Sequence, residues 1–336
     1  MLGKPPVVAA RPVPAEPTIR LLFTGDINPG RCAAQVALRA GNFNLPYELV
    51  ADELRAADIT VGSLDGSISD LAPPVPCAES EEDLGNLIGP ALTAEGLAYA
   101  GFDVLSLATN HALDCGTLGW RCNGQVLGDT RRNLLQQSIQ PVGLGEDVTQ
   151  ARSPVIIERQ GVRFAFLAVN AVSGDATWAG DFQPGTAPLS TQTMPDITAD
   201  IAAARIRADI VIVLPHWGVE YHEVPGSPER LWAAQMIAAG ADLVVGNHPH
   251  VIQPVETFPQ GQVVAYALGN FVFDQGPLIT RQGVVLEAVF QGTKLVTWRL
   301  LPLVINGSFQ PRWADSVEAT VILDRVEAAS QGLIGH

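Results

Sequence analysis

Two histidines, His248 and His250, stand one residue apart around Pro249 in the stretch VVGNHPHVIQPVE, in a chain that has only six. They follow the apolar-rich run 241–245, where a buried strand should end. An extended His-x-His segment turns its first and third side chains to the same side, so both rings could reach one site. Other groups able to do chemistry recur in equivalent places. Asp26 and Asn28 follow the run IRLLFTG, Asp65 follows DITVGSL, Asn110 and His111 follow DVLSLAT, and His216 closes DIVIVLPHWG. Singly, an Asp after a strand is usually a turn or helix cap, and an Asn-His pair is usually a satisfied loop contact. Jointly, four of six histidines would have to fall at strand ends for unrelated reasons.

The residue types define the chemistry. Two carboxylates, an amide oxygen and neutral imidazoles suit borderline divalent ions such as Mn, Zn or Fe. Paired ions lie about 3.5–4 Å apart, so one carboxylate must bridge them. Two divalent ions against two carboxylates leave a surplus of positive charge, which attracts the phosphate or carboxylate oxygens of an anionic substrate. The ions also bring a water towards ionisation at neutral pH. A metal-free alternative, proton abstraction by a histidine, needs the same cluster.

Positioning such a cluster requires a layered α/β frame, because in open α/β sheets ligands bind beyond the carboxyl ends of strands. Strands are expected at 19–25, 58–64, 103–109, 163–170, 209–218 and 242–247. Helices are expected between several of them, including 46–57 and the segment GSPERLWAAQMIAAG, with Ser227 as cap, Pro228 in first position and Gly240 as stop. The second half changes character. VVAYALGNFVFD, GVVLEAVFQGTKLVTWRLLPLVI and ATVIL read as strands with short turns, hence an antiparallel or mixed sheet. The expectation is an α/β protein, a four-layer α/β/β/α sandwich of two mixed sheets flanked by helices.

Composition narrows the partners. The 336 residues hold 35 acidic and 20 basic side chains, a formal charge of -15, with no Lys/Arg-rich block, which argues against nucleic acid. No apolar stretch is long enough to span a bilayer. Residues 5–17 carry five prolines and read as an extended tether, so 1–18 is expected to be a Pro-rich tether and 19–330 one domain. Such a tether often follows a removed signal or anchor, the one route to a membrane. Cys32, Cys77, Cys115 and Cys122 fit no zinc spacing. A disulfide between two of the last three is expected, with Cys32 unpaired, as suits an extracellular or cell-surface protein.

The motifs GDINPGR, SLDG, TNHALDCG, HWGVEY, AGADLVVGNHPHVIQPVE and YALGNFVFDQ, spread over residues 19 to 325, resemble the CapA/PgsA family of capsule poly-gamma-glutamate synthesis proteins. That family belongs to the metallophosphoesterase superfamily of two-sheet sandwiches. The resemblance implies Asp26 on one metal with His250, Asp65 bridging, and Asn110, His216 and His248 on the second. His111 would be a general acid or phosphate contact. Three positions depart from the pattern: Asn28 for a His, Asp65 for a Glu, and Thr109 for an Asn. The first makes the metal that holds Asp26 weak or absent. Arg31 is a substrate contact or a helix-start ion pair, Glu220 a pocket residue beside Tyr221 and His222, and Asn270 a substrate contact or turn former. Two functions follow. One is a metal-dependent hydrolase of a phosphate ester or of an amide in an acidic polymer such as polyglutamate. The other is a tethered accessory protein that works with the capsule-synthesis machinery without breaking a bond.

Overall fold

The pleat of the first strand, Thr18–Ile27, divides its side chains between two interiors. Ile19, Leu21 and Phe23 enter one hydrophobic cluster, while Leu22 and Ile27 enter another on the opposite face. In the computed structural model, which describes residues 16–71, 77, 86–115, 124–172 and 174–334, this strand is central to an eight-stranded sheet. The order across that sheet is Pro311–Trp313, Lys294–Ile305, Gln282–Gln291, Thr18–Ile27, Ile59–Leu64, Val104–Ser106 and Gln140–Val142, and Asn270–Val272 pairs with Thr18–Ile27 off this path. The second sheet has six strands, Val255–Thr257, Val263–Ala265, Leu243–Val245, Ile210–His216, Val162–Asn170 and Val155–Arg159.

The two sheets share an interior. Ile19, Leu21, Phe23, Val61 and Val104 from the first meet Phe164, Phe166, Ile212, Leu214 and Val245 from the second, with Phe164 and Phe290 edge to face at 5.6 Å. Truncating either core phenylalanine to Ala would cost about 3–5 kcal/mol. The outer face of the first sheet packs Leu22, Leu64 and Leu105 on Leu97, Leu127 and Leu134 of the helices Thr93–Ala100 and Gln125–Gln136. The outer face of the second packs Leu167, Val211 and Val213 on Ile197, Ile201 and Met236 of Met194–Arg207 and Ser227–Ala239. Helix, sheet, sheet, helix is therefore the layer order, the four-layer sandwich of two mixed sheets expected from the sequence. The disposition of strands matters most. Thr18–Ile27, Ile59–Leu64 and Val104–Ser106 run parallel, as do Val162–Asn170, Ile210–His216 and Leu243–Val245, so each group brings its carboxyl ends to one edge.

Several expectations are corrected. The helix expected over 46–57 is a 3-10 turn, Leu45–Tyr47, followed by a five-residue helix, Ala51–Arg55. The helix at 227–239 is capped by extended Gly226 rather than by Ser227, while Gly240 ends it with φ 115° as expected. ATVIL is not a strand but part of the helix Ser316–Ile334. Its β-branched residues suggested a strand, yet Ile322 and Val326 recur at helical spacing and close the seam between the sheets. The expected strand VVAYALGNFVFD splits into two pieces in different sheets, Val263–Ala265 and Asn270–Val272. The chain crosses over at Gly269, with φ 73°, where Gly25 lies so close that a Cβ on it would sit 1.9 Å from the Gly269 carbonyl oxygen. Cys32 is not unpaired: it is bonded to Cys77, 45 residues away. Cys115 is also disulfide-bonded, and no described cysteine is free. The nearness of Cys32 to Cys77 comes from tertiary structure, since Cys32 lies in the first turn of the helix Arg31–Ala40 that follows the first strand. Most of the proline-rich tether, residues 1–15, lies outside the described residues.

Candidate metal centre

Each strand end contributes a donor. Asp26 lies within the last turn of pairing of Thr18–Ile27, at an irregularity in register against Ile59–Leu64, and Asp65 directly follows that second strand. Asn110 and His111 follow Val104–Ser106, His216 is the last residue of Ile210–His216, and His248 and His250 follow Leu243–Val245. The first sheet thus supplies the acids, the amide and His111, and the second supplies the other three imidazoles.

These groups converge. His216 Nε2 lies 2.8 Å from Asn110 Oδ1 and 3.7 Å from Asp65 Oδ1, and its Nδ1 is 3.9 Å from Asp26 Oδ1. His250 Nδ1 is 3.6 Å from Asp26 Oδ2, and its Nε2 is 4.0 Å from Asp65 Oδ2. The His248 ring is centred 4.8 Å from that of His216 and 5.8 Å from that of His250, and its backbone N–H donates to Asp26 Oδ2 at 3.0 Å. All but Asn110 are buried. The His-Pro-His segment is not extended, as its spacing suggested: His248 and His250 both have left-handed backbone, φ 100° and 58°. Each such residue costs about 1–3 kcal/mol. The turn is what lets His248 offer its N–H to Asp26 while its ring stays in the cluster.

The donor set fits divalent cations. Among the described residues, both oxygens of Asp65, Asp26 Oδ1, His216 Nδ1 and His248 Nδ1 are buried without a hydrogen-bond partner. Orphaned polar atoms of this kind are costly, and their concentration at one point is the mark of a site made for charged ligands. Burial, then repulsion from Asp65, pushes the Asp26 carboxyl well above the usual range. Asp65 is held low, because the surrounding histidines, His111 first, outweigh its burial. Burial pushes His216 down to about 3 and His248 down to about 2, and it also lowers His250, so all three are neutral and able to donate lone pairs.

His111 differs. Burial opposes its protonation, but the Asp65 and Asp114 carboxylates prevail and push it up to about 9. Asp114 Oδ2 lies 2.7 Å from His111 Nδ1 and also accepts the Leu87 N–H at 2.6 Å, which fixes the ring.

The remaining residues sit around this core. Asn28 has its amide engaged: Oδ1 accepts from Gly30 N at 2.8 Å and Nδ2 donates to Asp274 Oδ1 at 3.1 Å. Arg31, buried with φ 48°, forms an ion pair with Asp274, the second of the two roles expected for it. Asn270 is fully buried behind His250. Its Nδ2 donates to the Thr280 carbonyl at 2.9 Å and to Gln275 Oε1 at 3.0 Å, which leaves Oδ1 to accept from His250 Nδ1 at 2.9 Å. A carbonyl only accepts, so this chain of bonds sets the His250 tautomer and turns its Nε2 lone pair towards Asp65. Glu220 is exposed at the mouth, and its carboxylate, His248 and His250 have donor atoms within 4.8 Å of one another. Sequence reading assigned no role to Asp114, Asp274 or Gln275. Each lies inside a quoted motif, TNHALDCG or YALGNFVFDQ, but only the folded chain shows what it touches.

The model of the family described as bacterial capsule synthesis protein PGA_cap matches residues 20–275. The chain belongs to this family. Among curated members of it, the PGA biosynthesis protein CapA of Bacillus subtilis is 33% identical over 269 residues, covering 79% of this chain and 66% of its own length. The capsule biosynthesis protein CapA of Bacillus anthracis is 30% identical over 299 residues, covering 87% of this chain and 69% of its own. The PGA_cap chain described here therefore spans about two thirds of the length of these relatives. A Staphylococcus aureus protein assigned as a 5'-nucleotidase, solved with alpha-ketoglutarate, superposes with a TM-score of 0.53 at 14% identity, over 93% of this chain and 58% of that one. That likeness is one of fold.

Proposed function

We propose that this PGA_cap protein is a metal-dependent hydrolase acting on a phosphate ester or on an amide of an acidic polymer, in capsule or poly-gamma-glutamate metabolism. The observation that carries the reading is the set of buried, partnerless donors on Asp26, Asp65, His216 and His248. Asp26, Asp65 and His250 would hold one cation, with Asp65 shared, and Asn110, His216 and His248 the second; Mn, Zn and Fe match this donor set. When bound, the cations would supply Lewis-acid polarisation of substrate oxygens and activation of water. The chain's residues do the rest. The buried walls exclude bulk water, Asn270 and Asn110 orient two of the imidazoles, and His111, held by Asp114, carries a proton at the rim for the departing oxygen or nitrogen. The anionic substrate would be drawn in by the cations against a chain of net charge -15.

The curated relatives are named for biosynthesis rather than hydrolysis, which supports a second reading, a cell-surface accessory protein that binds metal and polymer during synthesis or export without hydrolysis. Among the described residues no helix is long and apolar enough to cross a membrane. Elemental analysis of purified protein, followed by assays with generic phosphate esters and glutamyl polymers, separates the two. Hydrolysis is expected with Mn²⁺ and is expected to vanish in His248→Ala. Bound metal and bound polymer with no product would establish the accessory role instead.

A further inference from the structure

Asn28 stands where many phosphoesterases have a second histidine, and its amide is occupied by Gly30 and Asp274. A cation near Asp26 would thus be short of a donor. The structure offers a replacement from a different part of the chain. Glu220 projects from the loop after the Ile210–His216 strand, and its carboxylate shares a 4.8 Å sphere with donors of His248 and His250. Buried His248 has an Nδ1 with no partner among the described residues. The two loops are fastened together. Tyr221 N–H donates to the Pro249 carbonyl at 2.8 Å, Gln253 Nε2 donates to the His222 carbonyl at 2.8 Å, and Gln275 Nε2 donates to Tyr221 Oη at 3.2 Å. Tyr221 itself is left-handed, φ 64°, directly beside Glu220 and opposite the two left-handed histidines. Three strained residues and a short network therefore hold one exposed carboxylate over two ligand imidazoles.

We propose that Glu220 is a cation ligand at the outer side of the centre, where its carboxylate lies within reach of the donor atoms of His250, on the Asp26 cation, and of His248, on the second. The proposal rests on the metal-site reading above. A third carboxylate lowers the surplus charge of a two-cation centre from about +2 to about +1, which still favours an anionic ligand but holds the ions more firmly. It also places the outer cation at the solvent-facing mouth, where a polymer too bulky to enter the buried floor can reach it.

The test is cation binding without turnover. Calorimetric titration of the metal-stripped full chain with Mn²⁺ is expected to show two sites in the native protein. Glu220→Ala and Glu220→Gln are expected to lose one site or to bind the second ion at least about tenfold more weakly, the least effect seen when a metal's surroundings are altered. Because Glu220 is exposed, both variants should melt like the native protein without metal. Two sites of unchanged affinity in Glu220→Ala would overturn the proposal while leaving the hydrolase reading intact. Two native sites, one lost in the variants, with no ester or amide cleaved by the native protein would sustain the proposal and end the hydrolase reading.

Discussion

His216 Nε2 and Asn110 Oδ1 lie 2.8 Å apart although 106 residues separate them, and they come from the two different sheets. This contact ties the carboxyl edges of the sheets at the candidate metal centre. The same proximity packs two buried carboxylates beneath three neutral imidazoles, an arrangement that bound cations would stabilise. Asp65→Asn removes one buried charge whose oxygens have no partner. It is expected to abolish the rise in Tm that Mn²⁺ gives the native protein. Cations at about a hundred times their Kd stabilise by about 2.7 kcal/mol, a shift of several degrees readable by calorimetry. An unchanged Mn²⁺ response in the variant would refute the bridging role of Asp65.

His111 is expected to move a proton rather than bind an ion. His111→Gln should lower turnover of a phosphate ester by about 10²–10⁴-fold while leaving the number of bound cations unchanged. Stoichiometry by elemental analysis, read alongside kcat, checks this, and a loss of metal in parallel with activity would contradict it.

The Cys32–Cys77 bond encloses a 45-residue segment of chain, and Cys32 is the second residue of the helix that leaves the Asp26 loop. Replacing both cysteines by Ala is expected to cost roughly 2–4 kcal/mol, seen as a lower denaturant midpoint.

Away from the site, Glu287 accepts from Arg299 and Arg20 across neighbouring strands, and these bonds hold its carboxyl below the ordinary range. A depressed folded-state value means a contribution that is full above the unfolded value and lost as pH falls through the folded one. Glu287→Gln is therefore expected to destabilise at neutral pH, and the difference from the native protein should shrink as the pH drops below about 4. Denaturant midpoints across pH 3 to 7 provide the measurement, and a pH-independent difference would count against the pair.

How far the sequence sufficed can be argued from particular residues. The strand ends were legible because buried strands are short apolar runs that stop at polar residues, and Asp26, Asp65, Asn110, His216 and His248 all stand at such stops. The layer order followed from the alternation of those runs with helical segments. What the sequence alone determined, then, was the frame and which polar residues stand at its strand ends, since both depend on local pattern and residue type. Tertiary structure decided the rest, because it turns on contacts between residues far apart in the chain. Asn270 became a support for His250 only through Thr280 and Gln275, and Arg31 an ion-pair partner only through Asp274. Cys32 found Cys77 across a loop, and ATVIL became helix because Ile322 and Val326 had a seam between sheets to fill. The left-handed turn at His248 and His250 has no signature in a local propensity, for its strain is supported by Asp26 and Tyr221, residues the chain brings there only when folded.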